Sequence, residues 1–163
     1  MGLKICPKAT NKLIWNIILW SDSDWGGDKD NRLSVSGMAL FVCGVLVAWR
    51  SKQQKSVALS SSEAELYAAS EAVKEVIFIM QVLISVGIPV ETPVIVRVDN
   101  MGAIFMAENA SSSIRTRHID NRWHFTRNLT KDKVIEIIFV RTAENKSDGF
   151  TKNVPADVHE RHT

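Results

Sequence analysis

The chain has 163 residues, of which 45% are apolar and 23% charged, and it carries a formal net charge of +2. Its length suits one domain with a sizeable core, its composition is that of an ordinary soluble protein, and its mild basicity permits a nucleic-acid partner without requiring one. The two cysteines, Cys6 and Cys43, make no metal-binding pattern, and the most apolar early run, Leu13 to Trp20, is far shorter than the roughly 20 residues of a membrane helix. A zinc-finger-like site, a membrane span and a secreted setting are therefore disfavoured.

Met1 to Asn11 mixes Gly, Pro, Lys and Thr without periodicity and reads as a lead-in. Leu13 to Trp20 fills both parities with Ile, Leu and Trp, which predicts a strand with core on both sides, ended by the polar Ser21-Asp22-Ser23-Asp24. Trp15, Trp20 and Trp123 are expected in the core. Trp25 to Ser34 is a turn-rich connection around Gly26-Gly27. Val35 to Cys43 and Val45 to Ser51 read as a hairpin about Gly44, and Ser56 to Leu59 as a further β-prone piece.

The longest helix opens on Ser60-Ser61-Ser62. Leu66, Ala69, Val73, Val76, Ile77, Met80, Leu83 and Ile84 recur at helical spacing, with Gly87 as the stop and Pro89 beyond, which gives an amphipathic helix of about six or seven turns. At about 100° per residue, Glu65 lies about 60° from the centre of the apolar stripe and Glu63 about 100°, on a side shared with Ser70 and Lys74. Glu65 is expected at the border of the core beside Ala68, Ala69 and Ala72, where a carboxylate calls for a cation or a hydrogen-bond partner. Glu63 is expected to face water and complement the helix dipole.

Val94 to Val98 is a buried strand that stops at Asp99-Asn100, and Asn100 reads as the N-cap of a short helix, Met101 to Glu108. Ser111-Ser112-Ser113 breaks the pattern. Arg115 to Lys131 follows as a basic helix with Ile119, Trp123 and Phe125 for packing, then Val134 to Val140 as a strand and Thr142 to Lys152 as a final short helix that includes Asp148. The order predicts one α/β domain over residues 12–155, a mixed sheet of about five strands with helices on both faces, with 156–163 as a tail.

Asp22 ends the first strand, Glu65 starts the central helix, Asp99 ends the later strand and Asp148 enters the last helix. In an open α/β sheet such strand ends and helix starts gather at one edge. Four acids converging without a matching basic cluster repel one another unless a divalent cation sits among them; oxygen-only ligands favour Mg²⁺ or Mn²⁺ over zinc. Two such ions about 4 Å apart suit phosphodiester hydrolysis. An EF-hand beginning at Asp22 fails, because Gly26 and Leu33 occupy its fifth and twelfth positions.

The motifs Ser21-Asp22-Ser23-Asp24-Trp25-Gly26-Gly27-Asp28, Ser34-Val35-Ser36-Gly37, Ala48-Trp49-Arg50-Ser51-Lys52-Gln53-Gln54 and Ala58-Leu59-Ser60-Ser61-Ser62-Glu63-Ala64-Glu65 share one further property. With Val98-Asp99-Asn100, Arg115-Thr116-Arg117-His118-Ile119-Asp120, Trp123-His124-Phe125 and Glu144-Asn145-Lys146-Ser147-Asp148-Gly149-Phe150-Thr151-Lys152, they resemble, in order, the ribonuclease H domain of copia-type long-terminal-repeat retrotransposon Pol polyproteins. The resemblance implies a ribonuclease H-like fold and hydrolysis of the RNA strand of an RNA/DNA hybrid, with Asp22, Glu65, Asp99 and Asp148 as catalytic, metal-binding carboxylates and two Mg²⁺ or Mn²⁺ ions as cofactors. It agrees with the helical geometry in choosing Glu65 over Glu63. It also implies a reverse transcriptase portion of the same polyprotein as partner, and a place in the cytoplasm, in an intracellular particle or in the nucleus. Many cellular ribonucleases H carry a histidine before the last acid, where Arg141-Thr142-Ala143-Glu144 stands here. Gly149 is expected to weaken the last helix by roughly 1 kcal/mol.

For substrate, Ser60, Ser61, Ser62 and Asn100 are placed to bond phosphate oxygens at helix starts. Trp49, Arg50 and Lys52, with Lys55 and the arginines of 115–131, are candidates to follow a nucleic-acid backbone. His118 and His124, about 240° apart on a helix, do not share a metal and read as core-edge or surface residues. Gly149 and the missing polymerase motivate a second expectation, a catalytically inactive nucleic-acid-binding or interaction remnant. A transposase or integrase core ranks last, because its glutamate would follow Asp99 on a long helix.

Overall fold

The computed structural model describes residues 14–28, 30–108 and 117–152. The lead-in, the Ser111 to Ser113 break, the start of the basic helix and the tail lie outside them. Within them run β1 (Ile17–Asp24), β2 (Val35–Val42), β3 (Val45–Gln53), α1 (Ser61–Ser85), β4 (Val94–Val98), α2 (Met101–Glu108), α3 (Arg117–Lys131) and β5 (Ile135–Phe139), followed by two 3-10 turns at Thr142–Glu144 and Asp148–Phe150.

The strands form one five-stranded sheet in the order β3-β2-β1-β4-β5. The hairpins β1–β2 and β2–β3 are antiparallel, and β4 joins β1, and β5 joins β4, in parallel. Cys43 and Gly44 both have positive φ, so a two-residue turn joins β2 to β3, and the glycine takes that left-handed position without a Cβ penalty. The first strand starts later and runs further than its apolar pattern suggests: pairing with β2 carries it through Ser21, Asp22 and Ser23 to Asp24.

Ile17 and Leu19 of β1 and Val94, Val96 and Val98 of β4 present one face of the sheet to α1, whose Ala69, Ala72, Val73 and Val76 complete the core. Full burial of each such Val or Ile contributes about 1.5–3 kcal/mol. Ile104 of α2 belongs to the same cluster, and Phe125 and Leu129 of α3 pack against it. The opposite face carries Trp20, 6% exposed, with the Arg97 guanidinium stacked 4.5 Å from its ring. Trp15 differs from expectation: it bridges to Val90 at the margin of the sheet and is 38% exposed.

Three further expectations change. Ser56 to Leu59 is not a strand, because side chains claim its backbone: Trp25 Nε1 donates to the Ala58 carbonyl and Glu63 Oε2 accepts from Leu59 N. Ser70 is buried, not on a wet face, because the first half of α1 is enclosed nearly all round through the small Ala64, Ala68, Ala69 and Ala72. Thr142 to Lys152 is no helix but the two 3-10 turns, so the cost of a glycine inside an α-helix does not apply to Gly149.

Candidate active site

The register of the central strands places the first two acids. Trp20 lies opposite Arg97 across the parallel β1–β4 pair; Asp22 stands two residues further along β1 and Asp99 directly follows the last residue of β4, so the two neighbouring strand ends bring the acids together. Glu65 reaches the same point from the second turn of α1, and its Oε1 accepts a 2.9 Å bond from Ser23 N. Ser60 caps α1 by accepting from Glu63 N at 3.1 Å, an arrangement that contributes about 1 kcal/mol. Ligand oxygens of Asp22, Glu65 and Asp99 lie within 4.8 Å of one another.

Asp22 is 1% exposed and Glu65 5%. Burial pushes Asp22 up to about 6; the Thr151 hydroxyl and Lys152 oppose the rise, and Asp99 and Asp148 add to it. Burial likewise drives Glu65 up to about 9, reinforced by the charges of Asp22 and Asp99 and offset in part by Ser23 N–H and Lys152. The second oxygen of Glu65, Oε2, is buried without a hydrogen-bond partner. A carboxylate oxygen in that position is costly unless protonated or bound to a cation. An all-oxygen donor set, closely gathered and partly unpaired, fits a hard divalent ion such as Mg²⁺ or Mn²⁺.

Asp148 stands beside this group on the last 3-10 turn, close enough to raise Asp22. Its Oδ1 pairs with Lys152 Nζ at 2.7 Å, and its side chain is 13% exposed. Burial works against the charge on Lys152, but Asp148, Asp22 and Asp99 outweigh it and hold the ammonium above its ordinary value. Thr151 Oγ1 donates to Asp22 Oδ2 and lies 3.0 Å from the Asp148 carbonyl. Asn145 Nδ2 donates to the Ser21 carbonyl at 3.0 Å, and Asn145 Oδ1 accepts from Ser147. The final segment is thus fastened to the end of β1.

Among the other candidates, Ser62 Oγ donates to Asn100 Oδ1 at 3.1 Å and Ala103 N donates to the same oxygen, which ties the starts of α1 and α2 together at the acidic edge. Ser60 and Ser61 are exposed there. Trp49 is 59% exposed on β3, and Lys52 is exposed on the same strand. Arg50 reaches α1, pairing with Glu75 at 3.0 Å and donating to the Glu71 carbonyl at 3.4 Å. His124 is exposed. Arg115 lies outside the described residues, and His118 and Arg122 fall on α3. Of the acids between the first two strands, Asp28 braces its own loop by accepting from Asp30 N, Asn31 N and Gln53 Nε2.

Reasoning from sequence assigned no role to Thr151, Lys152 or Gln54. Gln54 is 2% exposed, and its Nε2 lies 2.9 Å from both Ser36 Oγ and the Ala64 carbonyl and 3.4 Å from Ser23 Oγ, so it joins β1, β2 and α1 next to Glu65. Thr151 and Lys152 carried a signal: they follow Asp148 by three and four residues, the offsets at which a turn brings side chains together.

No protein-family model matches the chain. The crystal structure of LC11-RNase H1 in complex with RNA/DNA hybrid matches it with a TM-score of 0.62 at 12% identity, covering 91% of this chain and 100% of that one. The fold is that of ribonuclease H. In sequence, the chain is 38% identical over 141 residues to the retrovirus-related Pol polyprotein from transposon TNT 1-94 of Nicotiana tabacum, covering 86% of this chain and 10% of that protein. It is 33% identical over 133 residues to the Pol polyprotein from transposon RE1 of Arabidopsis thaliana, covering 82% of this chain and 9% of that protein. The chain is a ribonuclease H-fold relative of the retrovirus-related Pol polyproteins of plant transposons, as its motifs indicated, and it spans about a tenth of their length.

Proposed function

We propose that this domain is a divalent-metal-dependent endoribonuclease that hydrolyses the RNA strand of RNA/DNA hybrids, as the ribonuclease H part of a retrotransposon Pol polyprotein. The observation that carries this reading is the meeting of Asp22, Glu65 and Asp99 within 4.8 Å, with Glu65 Oε2 buried and unpaired. Asp22, Glu65, Asp99 and Asp148 would hold two Mg²⁺ or Mn²⁺ ions, which when bound supply an activated water and charge for the leaving 3′-oxygen.

The chain's own residues supply the rest. Glu65 is fixed by Ser23 N–H, and Asp22 by the Thr151 hydroxyl, so the carboxylates are arranged before substrate arrives. The helix starts at Ser60, Ser61, Ser62 and Asn100 point partial positive charge along the same edge, where a phosphodiester backbone would lie. The exposed Lys52 on β3 would extend that contact along the duplex. Among the described residues no helix is long and apolar enough to cross a membrane. The chain's likeness to Pol polyproteins supports a place in the cytoplasm, in an intracellular particle or in the nucleus, beside the reverse transcriptase portion of its polyprotein.

End-labelled RNA/DNA hybrid, single-stranded RNA and duplex DNA offered separately test the substrate. Cuts in the RNA of the hybrid alone, abolished by chelator and restored by Mg²⁺, are the expected result; an intact hybrid at every Mg²⁺ and Mn²⁺ concentration would refute it.

A further inference from the structure

The antiparallel pairing of β1 with β2 sets Asp22 opposite Gly37. The final segment crosses the sheet at that point. A Cβ built on Gly37 would lie 2.7 Å from Thr151 Cγ2, 2.9 Å from the Ser147 carbonyl oxygen and 3.1 Å from Phe150 Cβ. Ordinary contact begins at 3.4 Å, so all three atoms are too close. One belongs to the backbone and another is the first atom of its side chain, so neither can swing aside on a flexible arm. The backbone of Gly37 is not left-handed, and a glycine inside a strand weakens it. Conformation therefore gives no reason for glycine here, and space does.

We propose that Gly37 is a positioning residue for the acidic centre: its missing side chain is the notch in which the turn bearing Asp148 and Thr151 seats, and the depth of that seat sets where the fourth carboxylate stands. The inference rests on the reading of the four acids as metal ligands. Ser147, whose carbonyl oxygen fills the notch, directly precedes Asp148, and Thr151, whose methyl fills it, donates to Asp22. Lifting this turn far enough to bring the 2.7 and 2.9 Å approaches out to the 3.4 Å of ordinary contact moves Asp148 and loosens the Thr151–Asp22 bond together. Ligand sites tolerate displacements of only about 0.2–0.5 Å.

The test is calorimetric Mg²⁺ binding to the full chain without substrate, on the parent, Gly37→Ala and Gly37→Ala/Thr151→Ser, with far-ultraviolet circular dichroism as the check on fold. Gly37→Ala is expected to keep the parental spectrum and to bind Mg²⁺ about 10–100-fold more weakly, the range for groups that support metal ligands. The double variant, which removes the Thr151 methyl and keeps its hydroxyl, is expected to recover part of that loss. Parental Mg²⁺ affinity in Gly37→Ala overturns the proposal. Should that variant not fold, the double variant decides: folded with weakened Mg²⁺ binding it supports the notch, and folded with parental affinity, or unfolded as well, it overturns it. A parent that binds no Mg²⁺ defeats the metal reading itself, an outcome distinct from a parent that binds and a variant that matches it.

Discussion

Asp22 lies on a strand paired along its length with β2, Asp99 directly follows a strand paired on both sides, and Glu65 rides on a helix of 25 residues, whereas Asp148 rides on a single 3-10 turn. The first three are positioned by the core, since Leu19, Val96 and Val73 of the same three elements are fully buried in it. The fourth is positioned by a few polar bonds, Asn145 to Ser21 and Thr151 to Asp22, and by the notch at Gly37. Three carboxylates are thus built into the scaffold and one is docked onto it. Docked elements open at lower free energy than core elements, so the two classes of acid should respond differently to substitution, to metal and to pH.

The largest effect belongs to the scaffold acids. Asp99→Asn keeps shape and removes charge, so hybrid cleavage should fall by more than the roughly 100-fold that marks the upper range for supporting groups, with an unchanged circular-dichroism spectrum; cleavage near the parental rate would break the comparison at its stronger end. Asp148→Asn should cost less, about 10–100-fold, and excess Mn²⁺ should recover part of it, because the three remaining acids still form a site. Equal losses in the two variants would show that the docked acid is no more dispensable than the built-in ones.

Lys152 sharpens the contrast, since its ammonium already neutralises the docked acid at 2.7 Å. Lys152→Met removes a positive charge beside the centre, so the Mg²⁺ concentration for half-maximal activity should drop a few-fold; the effect is small because the side chain is 42% exposed and screened. A rise in that concentration would mean that the lysine supports metal binding instead of competing with it.

A further effect is on stability. Unfolded, the carboxyls of Asp22 and Glu65 titrate at 3.8 and 4.5; folded, burial raises them to about 6 and about 9. Between those limits the folded chain holds protons that the unfolded chain has released, so stability must fall as pH rises. The melting temperature in chelator should therefore decline from about pH 4 to about pH 9, and saturating Mg²⁺, which binds the deprotonated acids, should reverse the decline toward the alkaline end. A flat profile in chelator would contradict the burial of these charges.

The same division explains what could be read in the sequence. The apolar runs Leu13 to Trp20 and Val94 to Val98 and the helical period from Leu66 to Ile84 placed the three scaffold acids, because such patterns report burial by regular elements. The angle around α1 separated Glu65 from Glu63 for the same reason. The docked segment has no such period. Asn145 spends its side chain on Ser21 and Ser147 in place of a helical turn, and Thr151 spends its hydroxyl on Asp22, 129 residues away in the chain. Contacts of that range leave no local pattern, which is why a helix was expected where two turns stand. The role of Gly37 was hidden likewise, since only the partner strand and the crossing turn show that its emptiness is occupied.

Calorimetric titration of Mg²⁺ into the parent and into Glu65→Gln, with melting in chelator alongside, tests most directly that buried charge at this edge exists to hold metal. Glu65→Gln should abolish measurable Mg²⁺ binding and raise the metal-free melting temperature near pH 9, because the buried charge is gone and the Ser23 bond has an acceptor still. Undiminished Mg²⁺ binding in that variant would contradict the account.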